Sequence, residues 1–290
     1  MLNRRDFLKT TGTLTSGLLI ARSAFSMDEP FTSNAAIKKF GLQLYSLRDD
    51  LPKDPKGVLK QVASFGYKQV ESFEGKQGMF WGMTNKEFKK YMDELGMTIV
   101  SSHCNMNTDF ETKAAHAGEI GMKYLICPYL GPQKSIDDYK KAAEKFNACG
   151  DICKKNGLRF AYHNHGYSFN AIDGVLPQDV MMQNTDATLV DFQMDIYWVV
   201  TAGADPIAWI NKYPGRFKLC HIKDRKKGAD AKDTDASTDV GTGGIDFKKI
   251  LKTASGKGMQ YYIVEQERYD NSTPLKSAAV DAAYMKKFKM

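Results

Sequence analysis

The 290-residue chain is 42% hydrophobic and 26% charged, with a formal net charge of +7. This is the make-up of a globular protein with a sizeable core and excludes a disordered, fibrous or collagenous chain. Its lysines are spread over predicted helical surfaces and the C-terminal Lys286-Lys287-Phe288-Lys289 rather than gathered among aromatics, which argues against nucleic-acid binding.

The first 26 residues read apart from the rest. Arg4, Arg5 and Lys9 precede an apolar run from Leu14 to Ile20, and Ala24-Phe25-Ser26 offers a small-x-small cleavage site. The order Asn3-Arg4-Arg5-Asp6-Phe7-Leu8-Lys9 resembles a bacterial twin-arginine signal, with an ordinary secretory signal as the alternative. The expectation is export to the periplasm. The segment is too polar and too short to serve well as a span, and no later run approaches transmembrane length, so no stable membrane insertion is expected. Removing its four basic residues and one acid lowers the formal charge from +7 to +4. Five cysteines without a CxxC pair form neither a disulfide framework nor a cysteine metal site.

From residue 40 onward, short apolar runs alternate with longer helical patterns. Strands are predicted at Phe40 to Ser46, Tyr67 to Phe73, Thr98 to His103, Tyr124 to Cys127, Arg159 to Asn164, Thr188 to Asp195, Phe217 to Ile222 and Tyr261 to Glu265. Predicted helices include Asp54 to Phe65, Lys86 to Leu95, Ala114 to Ile120, Ser135 to Lys155, Asp205 to Tyr213 and Phe247 to Ala254. Gly66, Gly96, Gly121, Gly157 and Gly258 stand where left-handed helix caps are wanted. Eight such units predict an α/β fold, a (β/α)8 TIM barrel in one domain over residues 37 to 290. A doubly wound open sheet is the alternative, but no glycine-rich phosphate loop follows the first strand.

In such a barrel the chemistry gathers where strands finish. The predicted ends carry Glu71, His103, His163 and His165, Asp195, His221, and Glu265 and Glu267. Carboxylates converging on a narrow mouth repel unless a cation neutralises them, which favours a divalent metal. Alternation puts His163 with His165, Gln193 with Asp195, and Glu265 with Glu267 on shared faces. A mixed imidazole and carboxylate set fits Mn, Zn, Co or Fe better than Ca.

The segments Gly41-Leu-Gln-Leu-Tyr-Ser-Leu, Gly66-Tyr-Lys-Gln-Val-Glu71, Tyr162-His-Asn-His165, Met194-Asp-Ile-Tyr-Trp198, Gly203-Ala-Asp-Pro206, His221-Ile-Lys-Asp224 and Val264-Glu-Gln266 together resemble the xylose isomerase-like barrels, which include sugar phosphate isomerases and epimerases. The resemblance implies one divalent ion held by Asp195, His221 and Glu265, with His163 standing where the family places a glutamate. His163-Asn164-His165 is similar to the variant found in inosose dehydratases and 3-keto-glycoside lyases, which implies elimination rather than epimerisation.

Proton abstraction beside a carbonyl is common to both outcomes. His165 and Glu267 are the candidate bases. Lys223, His103 and Glu71 are expected to position substrate or donate protons, and Gln43, Tyr45 and Trp198 to line its site. Phe80, Trp81, Tyr129 and Tyr167 are further candidates for stacking on a sugar, and Gly228 to Gly244 reads as a long loop suited to a lid. An exported enzyme would meet few phosphorylated metabolites, so the expected partner is a non-phosphorylated small-molecule carbohydrate; a homo-oligomer is left open. The alternatives are an aldose-ketose isomerase or epimerase, a non-catalytic sugar-binding protein, and a nuclease of the same barrel, for which a basic DNA-facing surface is lacking.

Overall fold

The computed structural model describes Ile37 and residues 39–290; the expected export signal lies outside them. Eight parallel strands close into a barrel: β1 (Gly41–Gln43), β2 (Gln69–Phe73), β3 (Thr98–His103), β4 (Tyr124–Cys127), β5 (Arg159–His163), β6 (Val190–Asp195), β7 (Phe217–Ile222) and, after a small hairpin of β8 (Asp224–Arg225) and β9 (Ser237–Thr238), β10 (Tyr261–Val264). Neighbouring strands pair in chain order and β10 closes on β1. The fold is a (β/α)8 TIM barrel, as the alternation of patterns requires.

Most of the helices carry a start signal, an apolar face and a stop signal, and the first shows all three. In α1 (Pro55–Phe65), Asp54 accepts the N–H of Gly57, Pro55 occupies the first turn, and Val58, Leu59 and Val62 face the sheet. Gly66 ends it at φ 103°. The other four expected cap glycines also lie at positive φ, between 65° and 92°. Around the ring follow α2 (Asn85–Glu94), α3 (Phe110–Glu119), α4 (Ile136–Lys155), α5 (Pro177–Asn184), α6 (Ile196–Thr201), α7 (Pro206–Lys212), α8 (Phe247–Gly256) and α9 (Pro274–Lys287). Among the described residues no helix is long and apolar enough to cross a membrane.

The first strand stops three residues before its predicted end. The Gln43 side chain accepts the N–H of Tyr45 at 3.0 Å, and Leu44–Leu47 turns into a 3-10 helix. Inside the barrel, Tyr124, Ile126, Ala161 and Leu219 form an apolar cluster. Ala161 and Leu219 share their strand faces with His163 and His221, two residues further on. The polar site therefore rests on a packed plug, at the end where the strands finish.

Candidate active site and metal centre

Glu71 is the hub of the barrel mouth. It is fully buried, and its two oxygens take four hydrogen bonds: Oε1 from Gln43 Nε2 at 2.8 Å and His221 Nε2 at 2.6 Å, Oε2 from Ser101 Oγ at 2.6 Å and Gln193 Nε2 at 2.7 Å. His103 Nε2 stands 3.1 Å from Oε1. Burial works to raise this carboxyl, but the His103 and His221 rings outweigh it and hold it well below the usual carboxylate range. Glu71 and Gln43, expected to touch substrate, lie beneath the cavity floor with their polar atoms spent on one another and on neighbouring strands.

Gln193 passes this order on. Since its Nε2 donates to Glu71, its Oε1 must face the other way, where it accepts from His103 Nε2 at 2.8 Å and His163 Nδ1 at 3.0 Å. His163 then carries its proton on Nδ1 and turns the Nε2 lone pair towards Asp195 Oδ2, 3.7 Å away. Burial first, and then the His221, His165 and His103 rings, push His163 well below the ordinary imidazole value, so it is neutral.

His221 faces Glu265 Oε2 with Nδ1 at 3.1 Å and Asp195 Oδ2 at 3.9 Å. Burial disfavours its charged form, yet Glu265 and Glu71 outweigh that and push the ring up to about 10. With these neighbours alone it holds a proton on each nitrogen. Burial also pushes the Asp195 carboxyl up to about 7, against the pull of Lys223 and His221. Its Oδ1 caps α6 by accepting Trp198 N at 3.2 Å, while Oδ2 is buried with no hydrogen-bond partner.

These features test whether a cation fits. Asp195, His221 and Glu265 can each offer one donor atom within 4.8 Å of the others. The separations of 3.1 and 3.9 Å within this triad suit donors lying about 2 Å from a common centre, and His163 Nε2 stands 3.7 Å from Asp195 Oδ2 at its edge. An orphaned carboxylate oxygen and a histidine proton pinned between acids are what a divalent ion would relieve. The residues fit a Zn-, Mn-, Co- or Fe-type centre. A second triad, His103, His163 and His221, is also close, but His103 Nε2 is engaged by Glu71 and Gln193.

Above this cluster lies a cavity of 270 Å³ bordered by Tyr45, His103, Tyr129, His163, His165, Trp198, Glu265 and Glu267. His165 packs between Tyr167, Trp198 and Tyr129, with Nδ1 buried and unpaired. Burial and the nearby Lys223 cation push it down to about 3, so the ring is neutral. Lys223 is buried against Glu267 and Glu265, and its ammonium sits 5.4 Å from the Trp198 ring centre. Burial works against its charge, but Glu265, Asp195 and Glu267 keep it protonated. Phe80 and Trp81 are buried away from this cavity, and Trp81 Nε1 donates to Ser72 Oγ at 3.1 Å.

The long loop after β7 is held firmly at its base. Asp224 accepts N–H groups from Gly241, Gly243 and Ile245 at 2.9 to 3.2 Å, and the Arg225 guanidinium donates to the carbonyls of Asp230 and Asp233. Tyr197 OH accepts from Ala236 N at 2.8 Å. Sequence reasoning missed these anchors, as it missed the joining roles of Gln193, of Ser101 and of Asn164, whose amide donates to the Asp195 carbonyl at 3.2 Å and accepts the Asp195 N–H at 3.1 Å. Gln193 had one visible signal, its shared face with Asp195.

The barrel and its acid–imidazole mouth define a class, and the sequence comparisons agree with it. The family profile described as xylose isomerase-like TIM barrel matches residues 59–288, and the chain belongs to that family. Among curated relatives, an inosose dehydratase of Clostridium perfringens strain 13 is 29% identical over 165 residues, covering 52% of this chain and 54% of that protein. One from Clostridium beijerinckii is 27% identical over 206 residues, 64% of each chain. The chain thus spans about half to two thirds of the length of these relatives. A crystal structure of a sugar phosphate isomerase/epimerase from Parabacteroides distasonis is 31% identical, with a TM-score of 0.72, over 89% of this chain and 96% of that one. The IolI protein, solved with a bound zinc atom, shares the fold at 16% identity and a TM-score of 0.69.

Proposed function

We propose that this protein is a divalent-metal-dependent enzyme that removes a proton from the carbon next to a carbonyl in a non-phosphorylated sugar, keto-sugar or glycoside, followed by β-elimination of the lyase or dehydratase type. The observation that carries the reading is the orphaned Asp195 Oδ2 set among His163, His221 and Glu265, directly below a cavity that holds two proton acceptors, His165 and Glu267. His163, Asp195, His221 and Glu265 would hold the ion. Bound there, it would act as a Lewis acid that acidifies the C–H beside the carbonyl.

The chain's own groups do the rest. Trp198 and Tyr45 border the ring, and neutral His165 or the Glu267 carboxylate takes the proton. Lys223 keeps a positive charge beneath Glu267 and steadies negative charge that develops on substrate oxygens. A neutral His163 where the family resemblance implies a carboxylate makes the acid–base pair that epimerisation would use unsymmetrical. The inosose dehydratase relatives favour elimination; the isomerase/epimerase name of the Parabacteroides structure favours the rival in which the proton returns.

Location in the periplasm belongs to the same proposal and rests on the twin-arginine-like start of the chain. Metal analysis followed by incubation with a 3-keto-glycoside in heavy water tests the reading. Release of the aglycone is expected; deuterium uptake without release would establish the isomerase or epimerase reading, and neither event would leave only a sugar-binding role.

A further inference from the structure

The barrel mouth is a cleft of three adjoining cavities, and they differ in kind. The central one has 270 Å³. On one flank, sharing Tyr129, His165 and Trp198 with it, is a cavity of 530 Å³. On the other, sharing Tyr45, His103 and Tyr129, is one of 720 Å³. Pockets for small molecules run from about 300 to 1,000 Å³, so the central space suits a single ring and anything larger must extend into an arm.

The larger arm carries Glu74, which pairs with Lys113, together with Lys76, Asn105 and Asn107, beside an apolar wall of Tyr45, Phe73 and Met106. The smaller arm is walled by Tyr129, Tyr167, Trp198 and Ala202, with Thr201 and Lys232 at its border. Tyr129 is 60% exposed, a large apolar face offered to the cleft. It stands edge-on to His165 and Tyr167, with ring centres 5.0 and 5.5 Å away, while Tyr167 lies parallel to His165 at 2°. Two buried polar atoms at this arm lack partners, His165 Nδ1 and Thr201 Oγ1. The histidine on the other side, His103, has its Nε2 engaged by Glu71 and Gln193.

We infer that the aromatic arm is the leaving-group subsite, and that the substrate class is a keto-glycoside whose aglycone carries a planar, apolar ring. The inference rests on the elimination proposed above. The C–H bond beside the carbonyl breaks and its proton goes to His165; the electron pair forms a double bond to the adjacent carbon; the C–O bond to the aglycone breaks and its oxygen keeps the pair. The proton held by His165 passes to that oxygen, so the products are an enone and an alcohol, with nothing oxidised or reduced. His165 borders both cavities, which places one imidazole beside the ring and beside the departing oxygen.

The test compares benzyl and methyl 3-keto-β-glucosides, whose leaving alcohols have similar acidity, on metal-loaded enzyme. Wild type is expected to favour the benzyl substrate by about tenfold in kcat/KM, carried by KM. Ala202→Phe, which fills the arm, should abolish that preference, and Tyr129→Ala, at an exposed position, should reduce it if the first variant does not fold. Equal use of both substrates by wild type, or a preference untouched in the variants, overturns the inference. If neither substrate reacts, the proposed reaction fails. The subsite is then judged by tryptophan fluorescence with benzyl and methyl β-glucoside: tighter benzyl binding that is lost in the variants upholds it, and equal binding overturns it.

Discussion

Gln193 lies beside His163 across the β5–β6 ladder and accepts its Nδ1–H at 3.0 Å. One amide thereby fixes the tautomer of a proposed metal ligand, in the way outer partners orient ligating histidines elsewhere. Gln193→Leu should weaken divalent-metal affinity by about 10- to 100-fold. Competition with a chromogenic chelator measures this, and an unchanged affinity would remove the positioning role.

Asp195 is the clearest measure of the metal centre. Zinc or manganese at about 100 times its dissociation constant should stabilise wild type by about 2.7 kcal/mol, seen as a rise in Tm. Asp195→Asn should lose most of that rise. If both proteins respond equally, the ion binds elsewhere.

Glu71 divides a substrate contact from a structural hub. It joins residues of β1, β3, β6 and β7, so Glu71→Ala leaves buried donors without an acceptor and should cost about 3–5 kcal/mol in urea unfolding. A variant of normal stability with a raised KM would instead make Glu71 a substrate residue.

Asp281 on α9 supplies a pH test away from the metal centre. Burial pushes its carboxyl well above the ordinary range; the Val240 N–H that it accepts at 2.7 Å pulls it down, and Asp239 and Asp224 push it further up. A raised folded value means that its contribution to stability is complete below the unfolded value of about 3.9 and is lost as pH rises towards the folded one. Asp281→Asn should therefore raise Tm more at pH 8 than at pH 4. An equal change at both would show that Asp281 ionises freely in the fold.

Much of this was legible because barrel strands and helix caps are local. The predicted Thr98 to His103, Tyr124 to Cys127 and Phe217 to Ile222 strands agree residue for residue with β3, β4 and β7. Strand ends could be named from the sequence, and Asp195, His221 and Glu265 do converge in space. What could not be read was depth and register. Glu71 and Glu265 both belong to predicted strand ends, but Glu71 lies two residues inside the end of β2 and is the buried hub, whereas Glu265 follows β10 and reaches the cavity. The loop anchors Asp224 and Tyr197 likewise depend on partners far along the chain.

The bond from His163 to Gln193 also constrains how this site can evolve. A glutamate at 163 would present only acceptor oxygens to Gln193 Oε1. The amide would have to turn over to supply its Nε2, and that atom is the donor on which Glu71 depends. A glutamate at 163 is therefore coupled to position 193, and the histidine is held in place until both change together.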